Sequence, residues 1–85
     1  MRFTGSTLEL NVNCGGHGYV LVEISDKAGV PISGYALVDA IPVMVNSVRG
    51  LVVWKTKHSV ASLAGQTVHL RFVMKDAKLF AFRFI

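Results

Sequence analysis

The chain has 85 residues, of which 52% are hydrophobic and 16% charged, with a net charge of +4. That length holds one domain, 1–85, with a thin core, and so low a charged fraction leaves apolar surface in excess, suited to meeting a partner. A single cysteine excludes an intrachain disulfide framework, no apolar run approaches a membrane span, and the nine Lys and Arg residues are scattered, so neither a membrane nor a nucleic-acid role is indicated.

Leu8, Leu10 and Val12 alternate with Glu9 and Asn11, which predicts a first strand. Asn13-Cys14-Gly15-Gly16-His17-Gly18 follows, with the only cysteine and one of three histidines. A Cys–His nucleophile needs a third, orienting group, and zinc needs three or four ligands. His58 and His69 are the further candidates, but they lie far off in the chain and the spacing matches no zinc pattern. The segment is expected to be a mobile glycine connection between strands, without metal, cofactor or catalytic residue. Cys14→Ser and His17→Ala are expected to leave the fold nearly unchanged.

Tyr19–Ser25 alternates again, with Val20, Val22 and Ile24 inward and Tyr19, Leu21 and Glu23 outward. Asp26-Lys27-Ala28-Gly29 reads as a tight hairpin loop, with Gly29 at positive φ. Val30-Pro31-Ile32 is a short edge piece, because Pro31 lacks a ladder donor. Gly34–Ala40 reads as extended and Ile41–Asn46 as irregular or an edge. Arg49–Lys55 is the strongest β-former, with Trp54 placed in the core. Ser59 caps one helical turn over 59–64, closed by Gly65. Thr67–Met74 places Val68, Leu70, Phe72 and Met74 inward. A turn over 75–78 leads to Leu79–Ile85, with Phe80, Phe82 and Phe84 on one face. Six to eight short strands and one helical turn predict an all-β fold, an antiparallel, jelly-roll-like β-sandwich.

Tyr19, Leu21, Leu51, Val53 and Leu79 then fall on second faces, where a free-standing sandwich carries polar residues. Either these strands are central or their inward assignment is reversed, or the residues form an apolar interface, with a second copy of the chain as one partner. Sugar stacking requires exposed rings; the candidates are Tyr35, Tyr19 and Trp54, with Asp39 as a hydroxyl partner and Tyr35 as the most exposed ring. An RNA- or DNA-stacking barrel fits less well, since only Arg83 stands among Phe80, Phe82 and Phe84.

Trp54, Leu63-Ala64-Gly65, Val68-x-Leu70-x-Phe72, Asp76-Ala77-x-Leu79 and Phe80-x-Phe82-x-Phe84 form an ordered series. Val22-Glu23-Ile24, Asp26, Gly29, Pro31-Ile32, Gly34-Tyr35 and Leu37 precede it. This series resembles the C-terminal β-sandwich domain of five-bladed β-propeller proteins related to glycoside hydrolase family 32. The resemblance spans nearly the whole chain and rests on packing and turn residues. It implies a non-catalytic accessory module whose partner is a propeller domain or a second copy, with carbohydrate binding as the alternative. The family's catalytic carboxylates belong to the propeller, so none carries over.

Overall fold

The computed structural model describes residues 1–85. Five strands carry the ladders: β1 Leu8–Asn13, β2 Tyr19–Asp26, β3 Asn46–Val52, β4 Val68–Lys75 and β5 Lys78–Phe84. Extended segments at Pro31, Ala40, Val43 and Trp54 add isolated bridges. The only helical pieces are 3-10 turns at Leu37–Asp39 and Ala61–Leu63. The chain is therefore all-β, with an antiparallel three-stranded sheet ordered β3-β1-β5 and an antiparallel pair β2-β4. Successive strands alternate between the sheets, so every connection crosses from one to the other.

Period-two alternation makes each strand two-faced, and the inward faces of both sheets share one core. Leu8, Leu10 and Val12 of β1, Val20, Val22 and Ile24 of β2, Val52 of β3 and Val68 of β4 are all buried in it. Trp54 is fully buried, and its ring meets Tyr35 edge-on at 4.9 Å. Burying one such large apolar side chain contributes on the order of 2–3 kcal/mol.

Local chemistry explains the turns. Asp26 Oδ1 accepts from the N–H groups of Ala28 and Val30, and the Gly29 N–H donates to Asp26 O, closing the hairpin loop. Ser59 Oγ accepts the Ala61 N–H at 3.1 Å just ahead of the helical turn, but the N-cap position itself is Val60, which has no side-chain cap, so the turn begins one residue later than expected. Gly34–Ala40 is not extended throughout: Glu23 Oε2 accepts the Leu37 N–H at 3.1 Å, and Leu37–Asp39 coils into a 3-10 turn.

The Cys14–Gly18 connection differs from its expectation. It is tied down rather than mobile. Asn46 Oδ1 accepts from the N–H groups of Cys14 and Gly15 at 2.8 and 3.1 Å. Cys14 is fully buried, and its thiol donates to Val43 O at 3.3 Å. A Cβ at Gly18 would run into the Asp76 carbonyl, so only glycine lets this loop lie against the β4–β5 turn. His17 stays exposed.

Candidate functional site

The outer edge of a strand carries N–H and C=O groups that need partners, and the two sheets resolve this differently. Along β2 the edge turned away from β4 is covered by the segment that follows it. Val20 and Val43 exchange both backbone bonds, Ile24 N–H donates to Tyr35 O, Ile32 N–H donates to Ile24 O, and Asp26 N–H donates to Val30 O. The Trp54 indole N–H reaches Val22 O at 2.9 Å.

On the opposite side lie the outer edges of β4 and β5. Met1 and Val68 exchange hydrogen bonds in both directions, at 2.7 and 2.8 Å. Phe3 stacks on Phe84 with ring centroids 3.9 Å apart. The N-terminal segment thus plugs one end of the gap between the sheets. Beyond it the gap is open. Phe72 of β4 and Leu79, Phe80, Ala81 and Phe82 of β5, all hydrophobic, line a groove of about 430 Å³. Phe80 is 64% exposed, Phe82 40% and Met74 47%. Apart from the β ladders, no backbone–backbone hydrogen bond involves residues 69–84.

A break in strand phase creates part of this surface. On β5, Asn11 pairs with Ala81 but Val12 pairs with Leu79, so Phe80 is an extra, bulged residue. The bulge places Leu79 on the core side opposite Val12, half-buried, and leaves Phe80 in solvent.

The outer face of the three-stranded sheet holds a second feature. Glu9 lies between Leu51 of β3 and Arg83 of β5 in register. Its carboxylate accepts from Arg49 at 3.2 and 3.3 Å and from Arg83 at 3.1 and 3.3 Å. The Glu9 side chain is 10% exposed, whereas those of Arg49 and Arg83 are 62% and 56% exposed. Hydrogen bonding from Arg49 is the main cause holding the Glu9 carboxyl below its ordinary range; burial opposes it, and Arg83 adds to the lowering. The same pairing raises Arg49. Two arginines on one carboxylate leave a net positive charge above a shallow concavity of about 320 Å³.

The residues expected to bind sugar do not form a platform. Tyr35 is 3% exposed and donates its hydroxyl hydrogen to Ser59 O at 2.8 Å, so the expectation of an exposed ring is corrected: the loop holding it wraps the β2 edge. Trp54 is in the core, Tyr19 is half-buried opposite Lys75, and Asp39 ends the first 3-10 turn. The expected interface residues do not share one face either. Leu51 is 54% exposed on the three-stranded sheet, Leu21 packs against the core from the other sheet, Val53 is half-buried, and Leu79 is turned inward by the bulge. Cys14, His17, His58 and His69 form no cluster of three or more potential metal ligands. Outward alternation marks Glu9 and Arg83 in the sequence, but only the strand order shows that they meet.

No family model matches the chain, and no curated protein or solved structure matches it either.

Proposed function

We propose that this chain is a non-catalytic β-sandwich interaction module, of the kind attached to five-bladed propeller proteins related to glycoside hydrolase family 32. Its role is to present the open β4–β5 side to a partner. One observation carries this reading: Phe80 and Phe82 stand exposed around an apolar groove, beside strand edges with no cover. Contiguous apolar surface at an unpaired edge marks an interaction site. The ordered series of packing and turn residues supports the family placement. Of the rings expected to stack on sugar, Tyr35, Tyr19 and Trp54, only Tyr19 is partly exposed.

The test is a fluorescent anilinonaphthalene sulfonate dye, whose apolar rings and negative charge suit an apolar groove on a basic chain. The wild-type chain binds it, and Phe80→Ser with Phe82→Ser loses that binding while the chain stays folded. Wild-type protein that leaves the dye dark contradicts the reading. A glycan array with reproducible hits would favour the carbohydrate alternative.

A further inference from the structure

The open gap has a direction. Met1 bonds to Val68, and two residues later Phe3 O accepts the Gly65 N–H, so Met1–Phe3 runs antiparallel to the chain entering β4. Because Val68 turns its backbone groups toward Met1, alternation turns those of Leu70, Phe72 and Met74 to the same side. No hydrogen bond within the protein reaches these groups from that side. The molecule thus carries one bonded step of an added strand and then leaves the rest of the edge free.

The side chains beside that edge specify what it would accept. On the inner side Phe72 lies 5.4 Å from Phe82, ring centroid to ring centroid, at the apolar groove. On the outer side of β4 stand His69, Arg71 and Lys75, all exposed. Glu23 stands opposite Arg71 in register but accepts the Leu37 N–H instead, and the only ion pairs are those of Glu9 with Arg49 and Arg83, so Arg71 and Lys75 form none within the protein. Cross-strand neighbours on one face favour opposite charges.

We infer that the free edge of β4 takes an added strand from a separate polypeptide, apolar at alternate positions and acidic between them, antiparallel to β4 and continuing the line of Met1–Phe3. The apolar residues enter the groove beside Phe72 and Phe82. The acidic residues face Arg71 and Lys75. This is strand addition, in which main-chain bonds supply affinity and alternate side chains supply specificity. A second copy fits less well, because edge-to-edge pairing of two β4 strands would set His69, Arg71 and Lys75 of one against the same row of the other. The inference rests on the interaction-module reading above and names the partner of that same side.

The probe is a capped peptide of about eight residues alternating Val and Glu, with a Val/Lys counterpart. Binding to the intact chain is followed by fluorescence anisotropy and by amide hydrogen exchange. The Val/Glu peptide binds and slows exchange at Leu70, Phe72 and Met74, and the Val/Lys peptide binds about tenfold more weakly. N-methylation of the edge-facing peptide amides abolishes binding, with the protein unaltered. Arg71→Glu with Lys75→Glu, both exposed, reverses the preference. Three outcomes overturn the inference: no binding of either peptide, equal binding of both, or binding that ignores N-methylation. Sedimentation separates it from the broader reading. A dimer sealed at this edge sinks the inference and leaves the interaction module standing; a monomer that binds neither peptide nor dye sinks both.

Discussion

The two outer edges of the β2–β4 sheet make an instructive pair. Both strands are eight residues long and run side by side in unbroken register. Along β2 the outward groups of Val20, Ile24 and Asp26 meet Val43, Tyr35, Ile32 and Val30, and Trp54 caps Val22 O. Along β4 only Val68 has such a partner, Met1. Burial follows the cover. On β2 even the second-face residues Glu23 and Ser25 are buried, whereas inward-facing Met74 of β4 is exposed. Alternation decides which way a side chain points; what lies beyond the strand decides whether water reaches it.

The largest effect falls on the sealed edge. Trp54→Ala removes both a core ring and the cap on Val22 O, and should cost about 3–5 kcal/mol by chemical denaturation. Trp54→Phe keeps most of the ring but leaves that carbonyl short of a donor, and should cost about 1–3 kcal/mol. A Trp54→Ala chain as stable as wild type would break the comparison at its strongest point.

Cys14 supports the same edge through Val43, so Cys14→Ala should cost about 1–2 kcal/mol, while exposed His17→Ala stays within about 0.5 kcal/mol. Equal effects from the two would return the segment to a free glycine loop.

The outer face of the other sheet responds to pH. Arg49 first, and then Arg83, hold Glu9 below its ordinary value of 4.5 in the fold. Its ionised form therefore supports the native state at neutral pH, and that support is lost as pH falls below 4.5 through the lowered native value. Thermal melts across this range should show a shallower acid decline for Glu9→Gln than for wild type. Parallel declines would remove Glu9 from the account.

On the open side, Phe80→Ser should change stability by no more than about 0.5 kcal/mol, because the ring is already in water. A larger loss would mean that Phe80 is part of the core.

Much of this was legible in the sequence, and the remainder has identifiable causes. The alternation of Leu8–Val12 and Tyr19–Ser25, the Asp26–Gly29 loop and the helical turn after Ser59 are local signals, and the structure follows them. The bulge at Phe80 is silent in the sequence, because Leu79–Phe84 alternates without interruption and the extra residue exists only relative to β1. The Arg49–Glu9–Arg83 cluster joins residues 40 and 74 positions apart, which no local pattern relates. Tyr35, following Gly34, looks like a loop-tip ring; it is buried because that loop is the cover of β2. Cys14 sits among glycines yet belongs to the core, because Asn46 and Val43 draw the backbone inward.

The most direct measurement is native-state hydrogen exchange at two amides that point outward from opposite edges of the same sheet, Ile24 and Phe72. Ile24 donates to Tyr35 O and should exchange only with global unfolding. The Phe72 amide faces the open gap and should exchange orders of magnitude faster than its neighbours Arg71 and Val73, which pair with β2. A Phe72 amide protected as strongly as that of Ile24 would show that the β4 edge is already covered and would contradict the account.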